Sequence, residues 1–110
     1  MIYELRIYDC AAGRRPALIK RFEEHMCRLF VKHGIDVVGF WKPTAGVGIN
    51  NRVVYLCRFA DANARERAWD SFLQDPEFRA AHDASEVTGG PVVYRITAEL
   101  WTPLPFSPMQ

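Results

Sequence analysis

The sequence predicts an α+β domain in which helices cover one face of a four-stranded antiparallel sheet. Side chains alternate in type over residues 2–9, as they do in a strand with two different faces. The chain closes with a second strand pattern over residues 91–101, which follows the turn sequence Gly89-Gly90. The segment between them contains helical and strand patterns in turn, so we expect the first and last strands to lie side by side.

The opening strand is predicted to show one face to the helices and to leave the other face bare. A period of two separates two sets of side chains, Tyr3, Leu5 and Ile7 on one face and Glu4, Arg6 and Tyr8 on the other. We expect the first set to meet the helices and the second set to lie on the bare face.

The first helix is predicted over residues 16–33. Pro16 suits the first turn because its missing N–H would be unpaired there, and Gly34 is typical of a helix end. The apolar residues form one arc that is expected to pack on the sheet, made of Leu18, Ile19, Phe22, Met26, Leu29, Phe30 and His33.

The middle of the chain predicts a hairpin followed by two helical pieces. Residues 35–42 and 52–59 are the predicted strands, joined by a loop that contains glycine. The next helix is capped by Asp61 or Asn63, and Pro76 begins a shorter one. The order strand-helix-strand-strand-helix-strand is the ferredoxin-like βαββαβ arrangement. Residues 1–110 are predicted to form one domain with an extended tail at 102–110.

The bare face of this sheet predicts a homodimer. A face that mixes apolar and ion-pairing side chains is typical of one that a partner sheet covers, and a second copy is the most economical partner. The predicted interface residues are Glu4, Arg6, Tyr8, Arg58, Arg95 and Glu99. An alternative is that the same charges bind an acidic substrate, but paired charges more often fix the register of a dimer.

Composition excludes several classes of partner. Fourteen basic and thirteen acidic residues are interleaved, which argues against a nucleic-acid partner. The three cysteines lack a Cys-x-x-Cys spacing, so they predict neither a disulfide framework nor a zinc site and favour the reducing cytoplasm. The sequence contains no run of about 18 apolar residues and no secretory signature, so membrane insertion and export are not expected.

Six segments carry a resemblance to a known family: Met1-Ile-Tyr-Glu-Leu-Arg-Ile-Tyr8, Lys32-His-Gly-Ile35, Val38-Gly-Phe-Trp41, Asn51-Arg-Val-Val54, Asp75-Pro76 and Pro105-Phe-Ser-Pro108. Together they resemble the NIPSNAP family over almost the whole chain. The resemblance implies the dimeric α/β-barrel superfamily, in which two ferredoxin-like sheets pack face to face. That superfamily includes cofactor-independent oxygenases, isomerases, dehalogenases and haem-binding enzymes. Tyr55 departs from the family pattern, in which many relatives have histidine, and Leu104 interrupts the usual tail.

Two histidines are candidate functional residues. His25 and His33 lie eight residues apart, about two turns of one helix, and both border its apolar arc. A histidine in an apolar pocket can exchange a proton near neutral pH, so His25 is the candidate catalytic base and His33 a candidate ligand contact. The alternative is that His33 closes the end of the helix and that His25 only packs.

Aromatic residues predict a small-molecule pocket between sheet and helices. The aromatic residues that could line such a cavity, with hydroxyl and indole groups orienting an apolar ligand, are Tyr3, Trp41, Tyr55, Trp69 and Tyr94. The alternative is that these side chains simply form the core.

No metal or cofactor is predicted. His82 or Asp83 could add a third ligand to the two histidines, but no His-x-His or His-Glu-x-x-His spacing is present. Haem would require one histidine beside a vacant disc-shaped space.

The predicted function is therefore a homodimer that binds a small hydrophobic or aromatic molecule between sheet and helices. One alternative is a cofactor-independent oxygenase or isomerase of a small aromatic compound, with His25 as base and Tyr55 or Trp41 orienting the substrate. Another is a scaffolding dimer without catalytic activity.

Overall fold

The computed structural model describes residues 1–87 and 89–110. The elements follow one another as β1 (Ile2–Cys10), α1 (Arg15–Arg21), a π-helical turn (Phe22–Met26), α2 (Cys27–Lys32), β2 (Asp36–Trp41), β3 (Arg52–Phe59), α3 (Ala62–Leu73), α4 (Pro76–Val87) and β4 (Val93–Trp101). The sheet order is β2-β3-β1-β4, and each neighbouring pair is antiparallel. The predicted ferredoxin-like α+β fold is confirmed.

The first and last strands do share the sheet. β1 lies in the interior of the sheet, where it pairs with β3 from Ile2↔Phe59 to Asp9↔Arg52. On its other side it pairs with β4 from Tyr3↔Trp101 to Cys10↔Val93. β4 is therefore an edge strand, and β1 is bounded by hydrogen-bonded neighbours on both sides.

The first helix contains an irregularity that the sequence pattern did not indicate. Its π-helical turn separates α1 from α2, and the N–H of Cys27 donates to the carbonyl of Phe22, five residues earlier. A π turn adds one residue to the helix and shifts the faces that follow it. The predicted ends are close to those observed, because Pro16 lies in the first turn and Gly34 adopts φ +78° just after the last one.

Aromatic side chains fill the space between the first helix and the β2–β3 side of the sheet. Phe22, Phe30, Phe40 and Tyr55 meet with ring centroids 5.2–6.5 Å apart, and Tyr8 joins them at its edge. Full burial of one such ring stabilises the fold by about 2–3 kcal/mol. This half of the sheet contains core instead of the predicted pocket.

The faces of β1 are opposite to those predicted. Glu4, Arg6 and Tyr8 point to the helices, because Glu4 accepts a hydrogen bond from the Trp69 indole of α3 at 2.8 Å and Tyr8 packs on Phe22. Leu5 and Ile7 therefore point to the open face, meaning the sheet face that carries no helix. Tyr3 lies on that face too. Its buried hydroxyl donates to the carbonyl of Gln110 at 2.7 Å.

The tail folds back toward Tyr3. It is not extended throughout, because the N–H of Ser107 donates to the carbonyl of Leu104 at 2.9 Å and closes a turn. The Gln110 side chain donates to the same carbonyl at 3.0 Å. The tail thus brings its last residue over one end of the open face.

The helices leave β4 uncovered. Along β4, the side chains that point to the helix side are largely exposed, at 62% for Tyr94, 50% for Ile96 and 53% for Leu100. The helix layer therefore ends short of this edge, and a cleft remains between α3, α4 and β4. None of the helices among the described residues is long and apolar enough to cross a lipid bilayer.

Candidate functional site

The cleft beside β4 has the size and lining of a small-molecule site. Its volume is about 370 Å³, which lies within the range of about 300–1,000 Å³ that such sites occupy. Apolar walls come from Met26, Trp69, Phe72 and Phe78. The polar residues that line it are mostly cationic or hydroxylic: Arg6 and Tyr8 from β1, Arg21 from α1, His82 and Glu86 from α4, and Tyr94 and Arg95 from β4.

Arg6 is fixed at the sheet end of the cleft. Its Nη1 donates to Glu4 at 3.2 Å, its Nη2 donates to the Tyr8 hydroxyl at 3.3 Å, and its guanidinium lies 4.3 Å from the centre of the Trp69 ring. Burial opposes its charge, yet the neighbouring Tyr8, Tyr55 and Glu4 raise the pKa of Arg6 above its ordinary value. Arg6 therefore remains a cation, held over an aromatic face.

Glu4 is a buried carboxylate that two guanidinium groups share. It accepts hydrogen bonds from Arg65 at 2.8 and 3.0 Å and from Trp69 at 2.8 Å, in addition to that from Arg6. Burial raises the pKa of Glu4, but the bonds from Arg65, Trp69 and Arg6 outweigh it and hold the pKa below its ordinary value. One negative charge thus faces two positive charges, and Arg6 is only partly neutralised.

Arg21 brings a second buried cation to the cleft. Its residue surface is 6% exposed, and its Nη1 donates to the Ser85 hydroxyl at 3.1 Å. Among the described residues, no carboxylate lies within salt-bridge distance of it, and its Nε has no acceptor. Burial lowers the pKa of Arg21, while Tyr8 and Glu86 act in the opposite direction. The side chain stays charged at neutral pH because the ordinary pKa of arginine exceeds about 12.

The hydrogen bond between the hydroxyls of Tyr8 and Tyr55 has a defined donor. They lie 2.8 Å apart, and Tyr55 is fully buried with Tyr8 as its hydroxyl's partner among the described residues. If Tyr8 donated to Tyr55, the Tyr55 proton would be left without an acceptor, which is costly in a core. Tyr55 must therefore donate, and burial raises its pKa well above the ordinary value, so that it keeps its proton. The Tyr8 proton remains free to point into the cleft.

His25 lies in a different place. Its Nδ1 is 3.0 Å from Glu77 of α4, its side chain is 37% exposed, and it lines a surface groove of about 280 Å³ between the first helix and α4. Bonds from Arg28 and then His25 lower the pKa of Glu77 to about 2. The structure does not bring His25 to the space between sheet and helices, and its role as a base stays a prediction.

His33 ties the end of the first helix to the corner between α3 and α4. Its Nε2 lies 2.6 Å from Asp75, and its Nδ1 lies 2.5 Å from the hydroxyl of Ser71. Lys32 also donates to Asp75 at 2.9 Å, and these bonds hold the pKa of Asp75 well below its ordinary value. This arrangement matches the alternative in which His33 closes the helix end.

The predicted ligand contacts are dispersed. Trp69 and Tyr94 line the cleft, and Tyr55 lies behind it as the donor to Tyr8. Tyr3 lies under the tail, and Trp41 lies on the open face, where its ring covers Gly39 so closely that a Cβ there would come within 2.8 Å. Together with His33 at the α3–α4 corner, these positions do not form one pocket.

The predicted interface set is divided between the two faces. Arg58 and Arg95 do lie on the open face, where Arg58 donates to Asp36 at 2.8 Å and Arg95 donates to Asp9 at 3.1 Å. Glu99 lies there as well, since it pairs with Leu5 across the strands. The prediction was wrong for the face of Glu4, Arg6 and Tyr8, which the helices cover. The apolar part of the open face includes Leu5, Ile7, Val54 and Leu56.

Sequence reasoning placed Arg6 and Tyr8 on the wrong face, considered His82 only as a possible metal ligand, and did not propose Arg21 or Glu86. A signal for Arg21 was present. It follows Leu18 by three residues and precedes Phe22 by one, so it falls at the margin of the buried arc, where a charged side chain is unexpected.

Other chemistry has less support. No group of three histidine, cysteine or acidic side chains capable of holding a metal occurs in the part of the chain that the structure describes. Cys10 and Cys57 are buried thiols, and burial first, then Glu4, raises the pKa of Cys57 to about 12. A thiol with so high a pKa is a poor nucleophile.

The family follows from a sequence comparison. The NIPSNAP family model matches residues 3–108. The chain belongs to the NIPSNAP family. This membership confirms the resemblance seen in the sequence, whereas the dimer that the resemblance implies stays a prediction.

Solved structures share the fold of this NIPSNAP chain. A NIPSNAP family protein of unknown function from Agrobacterium tumefaciens matches with a TM-score of 0.82 and 22% identity over 100% of this chain and 94% of that one. An uncharacterised NIPSNAP domain protein from Burkholderia xenovorans gives a TM-score of 0.82 and 21% identity over 98% of this chain and 99% of that one. SnoaB, a cofactor-independent oxygenase from Streptomyces nogalater, gives a TM-score of 0.62 and 15% identity over 97% of this chain and 96% of that one. No curated protein sequence matches the chain significantly.

Proposed function

We propose that this NIPSNAP protein binds a small molecule with an apolar, aromatic body in the cleft beside β4. The observation that carries the proposal is the meeting of Arg6, Arg21 and Tyr8 with apolar walls in a space of about 370 Å³. The cleft lies between helices and sheet on the β4 side, whereas Phe22, Phe30 and Tyr55 fill the space between the first helix and the β2–β3 side.

A purely structural cleft would be built differently. Each buried guanidinium loses solvation, and the unpaired Nε of Arg6 and of Arg21 adds a further cost to folding. Apolar side chains of the same volume would often be neutral or stabilising at such positions. Two charges kept at this cost beside an open space support a binding role.

A cleft-filling variant tests the proposal. Ile96→Trp places an indole in the cleft from an exposed position on β4, and Ile19→Trp makes the same change on an exposed face of α1. Calorimetric titration with 2-naphthamide and 2-naphthoate should show binding to the wild type and the Ile19 variant, weakened at least about tenfold in the Ile96 variant. Absence of binding to the wild type, or equal binding to both variants, would contradict the proposal.

We also propose that two copies pack through their open faces. The support is the run of apolar side chains, Leu5, Ile7, Val54 and Leu56, flanked by the ion pairs of Asp9 with Arg95 and of Arg58 with Asp36. Apolar groups at the centre and charges at the rim are the usual anatomy of an interface. A cytoplasmic location is proposed from the three free cysteines, since reducing compartments keep thiols free.

A second candidate function is proton transfer on the bound molecule, as an isomerase or cofactor-independent oxygenase would need. His82 lines the cleft, and its Nε2 lies 3.5 Å from Glu86, an arrangement suited to a general base. Arg6 and Tyr8 would stabilise negative charge that develops on a substrate oxygen. This candidate replaces His25 by His82 as the base, because His25 lies in the outer groove.

A further inference from the structure

We infer that the cleft selects a ligand that carries a carboxylate attached to its apolar body. The inference rests on the proposed function, since it names the chemical class of molecule that the same cleft would take. Its basis is the excess of positive charge and of hydrogen-bond donors at the end of the cleft formed by Arg6, Arg21 and Tyr8.

The charges that line the cleft do not balance. Two arginines on the helix side, Arg6 and Arg21, line it with one glutamate and His82. Arg95 also borders the cleft, but its side chain lies on the open face, where the carboxylate of Asp9 accepts from it at 3.0 and 3.1 Å. Arg6 shares the charge of Glu4 with Arg65. Glu86 is the one acidic side chain of the lining among the described residues, and it lies 3.5 Å from His82.

Arg21 has no carboxylate within salt-bridge distance among the described residues, although the charge of Glu86 acts on it from further away. Of its three guanidinium nitrogens, Nη1 donates to Ser85, a neutral hydroxyl, and Nε has no acceptor among the described residues. Nη2 has no acceptor there either, and it is not sealed from solvent as Nε is. Arg21 also lines the groove beside His25. Substitution of Arg21 therefore tests whether its charge contributes to binding in the cleft.

The donors outnumber the acceptors at this end. The Tyr8 proton is free because Tyr55 donates to the Tyr8 oxygen, and Arg6 occupies the same oxygen from its other side. A hydroxyl that accepts twice in this way can only donate onward. A carboxylate accepts up to about four hydrogen bonds and donates none, so it complements this set of groups.

The apolar walls define the rest of the ligand. Phe72 and Phe78 pack against each other with ring centroids 4.5 Å apart and planes tilted by 41°, and Met26 adds a further apolar wall. One or two fused rings would fit against these side chains, with the carboxylate directed to Arg21 and Tyr8. Hydrogen bonds to charged groups contribute about 1.5–3 kcal/mol, so a carboxylate should bind about tenfold to a hundredfold more tightly than its neutral amide.

Matched probes separate this inference from the proposed function. Calorimetric titration of the full chain at pH 7.5 compares 2-naphthoate with 2-naphthamide, which has the same shape without the charge. We expect wild-type protein to prefer the carboxylate at least about tenfold. Arg21→Met should reduce that preference to about twofold or less, whereas Arg67→Met, which alters an exposed arginine of α3, should leave it unchanged.

Each other result overturns something definite. If both probes bind equally and Ile96→Trp blocks both, the proposed function stands and the preference for a carboxylate is contradicted. A preference for the carboxylate that survives Arg21→Met would remove Arg21 as the partner of the anion, and one that Ile96→Trp leaves intact would place the anion outside this cleft. Either result would contradict the inference. If neither probe binds, the proposed function fails and the inference fails with it. Arg21→Met removes a charge without a carboxylate partner, so the variant should fold.

Discussion

The two faces of β1 distribute polar and apolar groups in opposite ways. Toward the helices, β1 presents Glu4 and Arg6, which are charged, and all the partners of Glu4 lie within the chain. Toward the open face it presents Leu5 and Ile7, and no helix covers them. A strand usually turns its apolar side to its own helices. The reversal places charged groups beside the cleft on the helix side. On the open side it leaves an apolar surface of the kind that a second sheet could cover.

The largest effect is expected from a charge on the open face. Ile7→Lys should dissociate the proposed dimer, because an ammonium buried between two apolar faces costs several kcal/mol, or about a thousandfold in association. Sedimentation equilibrium measures the change. Ile19→Lys, at an exposed position on α1, is the control and should remain dimeric. A wild-type protein that sediments as a monomer would contradict the dimer, and the open face would then need another explanation.

A smaller effect is expected on the helix side at Glu4. Glu4→Gln removes the charge that Arg6 and Arg65 share, and breaking such a buried pair costs about 3 kcal/mol of unfolding free energy. Because the folded pKa of Glu4 is lowered from 4.5, its stabilisation is present above that pH and is lost as the pH falls through the folded value.

Urea unfolding between pH 3 and pH 7 measures both effects. We expect the stability of the wild type to fall more steeply with acid than that of Glu4→Gln. Asp9→Asn is a comparison on the open face, since the bonds from Arg52 and Arg95 lower the pKa of Asp9 against the effect of its burial. Parallel pH curves for the wild type and the Glu4 variant would show that Glu4 is not the titrating group.

The smallest effect concerns the direction of the tyrosine pair. Tyr8→Phe removes the acceptor of a fully buried hydroxyl, so it should cost about 1–3 kcal/mol. Tyr55→Phe leaves Tyr8 with Arg6 as its donor and the cleft before it, so it should cost about 1 kcal/mol or less. Chemical denaturation of both variants gives the difference. A larger loss of unfolding free energy in Tyr55→Phe than in Tyr8→Phe would show that Tyr8 is the donor. Its proton would then not be free to point into the cleft.

The fold could be predicted because its signals are local. Pro16 and Gly34 lie at the two ends of the first helix, and Asp61 caps α3 by accepting from the N–H of Ala64 at 2.8 Å. The hairpin and the pairing of the end strands follow from the order of elements. Such features depend on neighbours a few residues away, which is the range at which sequence patterns are informative.

The site could not be predicted because its causes are distant in the chain. The inward direction of Glu4 depends on Arg65 and Trp69, which lie 61 and 65 residues further on. Both faces of β1 carry apolar or aromatic side chains, Leu5 and Ile7 on one and Tyr8 on the other, so alternation alone cannot assign them. The cleft itself arises because the helices end short of β4, and no residue type encodes that boundary.

The π-helical turn changes the direction in which the residues after it point. One extra residue rotates everything that follows by about 100° relative to a regular helix. Arg21 precedes the turn and faces the cleft, whereas His33 follows α2 and reaches Asp75 at the far corner. A regular helix that kept one of these alignments would lose the other. The inserted residue thus lets one helix direct Arg21 to the cleft and His33 to the α3–α4 corner.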